Sequence, residues 1–134
     1  MKEENKKIIV RRWFDKSLED ELNIQSILKH KDGTPSVVCF LCQQMVEKQL
    51  KALLIFFDFE LIKTHDLMKL SLMLEEKIPD IRSNINDVAL LNRYYIETRY
   101  VGDYPEFFWE DAEEAYESVK KINKFVLEKV GDFV

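Results

Sequence analysis

At 134 residues the chain has the length of one domain around one core, and nothing in it divides residues 1–134. Hydrophobic residues at 46%, charged residues at 34% and only three Gly and three Pro describe a helical protein poor in turns. The net charge of −5 withholds the basic surface that non-specific binding along nucleic acid requires, so no DNA partner is expected, and two cysteines exclude a disulfide scaffold.

Residues from about Lys6 to Lys29 read as a first helix. Val10, Trp13, Ser17, Ile24 and Leu28 share one face, with Ile9 and Ile27 on its flank. Asp20 falls on that face, where a carboxylate must either snorkel at the edge or pair with a cation from another helix. Lys31-Asp32-Gly33-Thr34-Pro35 is a break in which Gly33 can serve as C-cap, and Ser36 is then available to cap the next helix.

From Ser36 to Phe57 the pattern predicts a second helix of unusual proportions. Gln43, Gln44, Glu47, Lys48 and Lys51 fall on one side, and apolar residues cover most of the rest. A helix so largely apolar must be covered on two or three sides, which makes it the central helix of a bundle. Its internal charges and glutamines argue against a membrane span, and Glu47, Lys48 and Lys51 read as its solvated stripe. Cys39 and Cys42 lie mid-helix as small core residues rather than at a helix start, where a redox pair would sit. Free thiols and the lack of a signal peptide point to the cytoplasm.

Thr64 is placed to cap a short third helix carrying Leu67, Leu70, Met73 and Leu74 and ending near Ile78-Pro79. His65 would then be its first residue. Asn84 and Asp87 resemble a capping pattern, so a fourth helix is expected from about Asn84 to Thr98, with Pro79 as an alternative start. After a break at Tyr100–Pro105, a last helix from about Trp109 to Lys129 carries Ala112, Ala115, Tyr116, Val119, Ile122, Val126 and Val130 on its apolar face. Acids crowd its start and lysines its end, as the helix dipole favours. No strand period appears, so the expected architecture is all-α: an up-and-down four-helix bundle with an additional short helix.

Several chemistries are excluded by what is missing. Glu-x-x-His pairs, His-Glu-x-x-His, a Walker loop and Gly-x-Gly-x-x-Gly are all absent, and no residues have metal-ligand spacing. No metal and no cofactor are expected. What remains is Asn92–Pro105, rich in Tyr and Arg and leading from a helix end into a Gly/Pro loop. Arg99 offers a planar fork for phosphate, and Tyr100 and Tyr104 offer stacking faces with hydroxyls. Alternatively Tyr94, Tyr95 and Tyr100 pack the bundle end while Arg99 pairs with a carboxylate such as Asp20.

Trp13 through Leu22, Gln44-x-x-Glu47-Lys48-x-x-Lys51-Ala52-Leu53-Leu54, Thr64-His65-Asp66-Leu67 and Tyr94-Tyr95-x-x-Thr98-Arg99-Tyr100 together carry a resemblance that covers nearly the whole chain. The chain resembles the HEPN domain family. The resemblance implies a helical bundle that commonly forms homodimers. It also implies, for small prokaryotic members, a minimal nucleotidyltransferase as partner, in some cases as a toxin–antitoxin pair. Other members are metal-independent ribonucleases carrying Arg-x(4–6)-His.

That ribonuclease motif is broken here. Counted from Arg99, the positions for the histidine hold Tyr104, Pro105 and Glu106, so the group with a pKa near neutrality is missing. The expectation is a module that binds a nucleotide, RNA or a partner protein and has no catalytic residue. Arg99, Tyr100, Tyr104, His65, Asp20 and Lys51 are its candidate ligand-binding residues. The rivals are a ribonuclease toxin with a non-standard site around Arg99, Tyr104 and His65, and a purely structural dimerisation module.

Overall fold

Helix α1 runs from Glu3 to His30 in the computed structural model, which describes residues 2–95 and 106–133. The predicted face is buried at Val10, Ser17 and Ile24, but Phe14 lies deeper than Trp13, which is only partly covered. The helix ends at Lys31, whose left-handed φ of 55° lets its N–H bond the Ile27 carbonyl at 2.7 Å. Gly33 is therefore not the C-cap. Its missing side chain is used for close approach, since a Cβ there would sit 3.2 Å from Ile27 Cγ2.

Helix α2 spans Pro35–Phe56 and is capped by Thr34, not Ser36. Pro35 at the first helical position holds Thr34 extended (φ −121°, ψ 151°), and its Oγ1 accepts from Val37 N at 3.3 Å. The four-residue connection 31–34 folds α2 back on α1 as an antiparallel pair. Fourteen of the 22 residues of α2 are buried, so this helix is central, as its composition demands. Among the described residues it packs on α1, on α5 (Trp109–Val130), on α3 (Leu67–Leu74) and on α4 (Ile85–Asn92). Its apolar circumference is thus satisfied within one copy of the chain.

The stretch between α2 and α5 departs most from expectation. Helix α3 is capped by Asp66, whose Oδ1 accepts from Met68 N and Lys69 N at 3.0 and 3.3 Å. Thr64 serves one step earlier, its hydroxyl accepting from Asp66 N, so His65 lies outside the helix. A 3₁₀ turn from Pro79 to Asn84 leads into α4, which makes Pro79 the start. The Asn84–Asp87 capping pattern is not used: Asp87 instead accepts from Ser118 on α5 at 2.8 Å. Helix α4 stops at Asn92, where the N–H groups of Arg93 and Tyr94 tighten onto carbonyls three residues back. Tyr94 then turns into the core, edge-on to Phe107 at 5.0 Å. The expected helix end at Thr98 and the Tyr100–Pro105 break lie outside the described residues.

Helix α5 follows its sequence pattern closely. Six of the seven residues assigned to its apolar face are buried, and Tyr116 is the partly exposed one. Asp111 accepts from the Phe108 N–H at 2.8 Å, satisfying a free donor at the helix start. The described residues are all-α in their regular structure, an all-helical bundle as expected. No helix among them is long and apolar enough to cross a membrane.

Candidate functional site

The polar side of α2 is not a solvated stripe. Glu47 and Lys51 have side chains only 7% and 10% exposed, and Gln43 is buried as well. The reason is tertiary: His65, near the end of the connection 57–66, and Trp13 of α1 lie against this side. Gln43 Nε2 donates to the His65 carbonyl at 3.0 Å, and the Lys51 ammonium stands 5.7 Å from the Trp13 ring centre.

Once covered, these groups must satisfy one another. Glu47 is the hub. Its Oε2 accepts from Lys51 Nζ at 2.9 Å, its Oε1 meets His65 Nδ1 at 2.9 Å, and Gln43 Nε2 approaches Oε1 at 3.3 Å. Gln44 closes the chain by donating to Gln43 Oε1 at 2.7 Å. A carboxylate can only accept, so the imidazole proton facing it sits on Nδ1. Tyr95 stacks on the His65 ring at 4.3 Å and 14°, and is itself stacked on Phe40 at 6.4 Å. Asn92 ties the end of α4 to this corner, its Oδ1 accepting from Leu67 N and its Nδ2 donating to Asp66. His65 nevertheless remains 49% exposed, which makes it the accessible group of the cluster.

The sequence-derived candidates separate accordingly. His65 belongs to this corner and is half exposed. Lys51 belongs to it too, but its ammonium is spent on Glu47 and Trp13 and is not presented to solvent. Asp20 lies elsewhere, paired with Lys48 at 2.5 Å. Burial pushes the Asp20 carboxyl above its ordinary range, against the pull of the Lys48 hydrogen bond and charge. The alternative that assigned Asp20 to Arg99 thus meets an Asp20 already held by a lysine of α2. Arg99, Tyr100 and Tyr104 lie outside the described residues. Sequence reasoning missed Glu47 and Gln43 as the groups that orient His65; the only available signal was the buried-side proportion of α2 itself.

Cys39 and Cys42 are fully buried and unpaired with each other. Burial pushes the Cys39 thiol up to about 12 and the Cys42 thiol higher still, so both are inert core groups. Among the described residues no set of three or more His, Cys, Asp or Glu converges as a metal site would need.

Comparison with known proteins places these observations. The HEPN domain model matches residues 10–130 of this chain. Among solved structures, TT1696 from Thermus thermophilus superimposes with a TM-score of 0.77 at 28% identity, over 90% of this chain and 97% of that one. An archaeal HEPN homologue, ST0689, does so with a TM-score of 0.70 at 24% identity, again over 90% and 97% of the two chains. No curated protein matches.

Proposed function

The chain belongs to the HEPN domain family, and from that premise we propose that it is a nucleotide- or partner-binding module without ribonuclease chemistry. In this reading it acts as a homodimer beside a minimal nucleotidyltransferase, as one half of a toxin–antitoxin-like pair. The observation that carries the reading is the anchored, half-exposed His65: Glu47 holds its Nδ1 edge and Tyr95 its face. Tyr95 is followed four residues later in the sequence by Arg99. The Arg99 fork takes two phosphate oxygens, and Tyr100 or Tyr104 covers a base or ribose. Glu110, Asp111, Glu113 and Glu114 would repel an anion from the start of α5, which leaves Arg99 to supply the attraction. With Tyr104, Pro105 and Glu106 where the ribonuclease histidine should stand, binding rather than cleavage follows.

Calorimetric titration of ATP and of a short RNA into the full chain tests this. Arg99→Ala should lose one charge-assisted bidentate contact, on the order of 2–3 kcal/mol or roughly 30- to 150-fold in affinity. Arg99→Lys keeps the charge without the fork and should fall between. Absence of binding by the wild type, or equal binding by a folded Arg99→Ala, refutes the assignment.

One observation favours a second reading, a metal-independent ribonuclease. An imidazole oriented by a buried carboxylate is how general bases are commonly held. Incubation with bulk RNA in EDTA distinguishes the two, because the binding module leaves the RNA intact.

A further inference from the structure

The His65 imidazole is held on two sides and is half exposed. Tyr95 covers one face at 4.3 Å, and Glu47 occupies the Nδ1 edge at 2.9 Å. With one face and the Nδ1 edge so occupied, 49% of the side chain is still exposed. The residue is also fixed at its backbone, where the carbonyl accepts from Gln43 Nε2 at 3.0 Å. Tyr95 in turn stacks on Phe40 with 30° between the rings.

We infer that the face of His65 away from Tyr95 is a stacking platform for an unpaired nucleobase, adding one ring to the series Phe40, Tyr95, His65. The inference rests on the proposed nucleotide-binding role and transfers the base from Tyr100 or Tyr104 to His65. A ring already immobilised by Glu47 and Tyr95 loses little further freedom when a base lands on it. With Nδ1 turned towards Glu47, Nε2 is the ring nitrogen left for a polar contact to a ribose hydroxyl or to the base edge. The stacking face is sequence-tolerant, since every base offers a π surface. The shared chemistry is a phosphate with an unpaired base attached, supplied by a mononucleotide or by the strand of a single-stranded RNA.

The test compares ATP, inorganic triphosphate and a short unstructured oligo(A) RNA by calorimetry on the full chain, in wild type, His65→Ala and His65→Phe. One stacked base should make ATP bind roughly 5- to 150-fold tighter than triphosphate. His65→Ala should erase that difference and leave triphosphate affinity unchanged, while His65→Phe should keep most of it. Because His65 is half exposed, urea midpoints are expected to show all three proteins folded, and His65→Phe carries the test if His65→Ala does not fold. A gain with ATP alone identifies a mononucleotide, and a gain with oligo(A) identifies a strand. A difference that survives His65→Ala overturns the platform and leaves the nucleotide role standing, whereas equal binding of ATP and triphosphate overturns the platform and reduces the role to binding of phosphate. Failure of all three ligands to bind overturns both.

Discussion

Glu47→Ala would strand the Lys51 ammonium in a position only 10% exposed, with the Trp13 ring as its remaining partner. Removing one member of a buried ion pair typically costs about 3–5 kcal/mol, because the surviving charge keeps its desolvation penalty without its attraction. The lost contacts to His65 and Gln43 add little here, since the half-exposed imidazole can turn to water. The expected loss is therefore at the lower end, ~3–4 kcal/mol, against a total stability of roughly 5–15 kcal/mol for a domain. In urea, with a slope near 2 kcal/mol per molar, that lowers the midpoint by roughly 1.5–2 M. The melting temperature should fall by about 10–15 °C. Glu47→Leu combined with Lys51→Met removes both charges and should recover most of the loss, because it is the unpaired charge that costs, not the missing attraction. A midpoint shift equivalent to under about 1 kcal/mol for Glu47→Ala, or a double variant no better than Glu47→Leu alone, would refute the hub assignment.

Asp20 supplies a pH test. Its folded pKa is raised by burial above the unfolded value, so the folded state binds its proton more tightly and stability falls as pH rises through that acidic window. Asp20→Asn should match the wild type at low pH and become the more stable of the two by neutral pH; a variant that loses ground as pH rises, in urea midpoints taken across that range, contradicts it. Cys39 and Cys42 should resist iodoacetamide at pH 8 in the native protein and react once it is unfolded, and mass spectrometry showing rapid native alkylation would sink this reading. Light scattering at micromolar concentration should give a dimer mass. That expectation cannot rest on α2, which its own chain covers, and rests instead on the exposed Ile8, Leu18, Leu22 and Leu127 of α1 and α5; a monomer mass refutes it.

Periodicity alone determined the all-helical class, the length and centrality of α2, and the inward face of α5 from Ala112 to Val130. These follow from which residues recur every three to four positions, and burial of an apolar face then leaves little choice. Caps were legible only to within two residues. Thr34 beside Ser36 and Asp66 beside Thr64 can both serve chemically, and the backbone at Pro35 and in the Thr64–Asp66 turn decides between them. What no spacing could reveal is the fate of Glu47 and Lys51. On an isolated helix their i,i+4 pairing is that of an ordinary solvated stripe, and the sequence carries no mark of what lies opposite. Among the described residues, the return of the chain to His65 and the approach of Trp13 cover that side. A surface ion pair thereby becomes a buried one, and Glu47 is joined to the half-exposed His65, whose distance along the chain is 18 residues and whose distance in space is 2.9 Å.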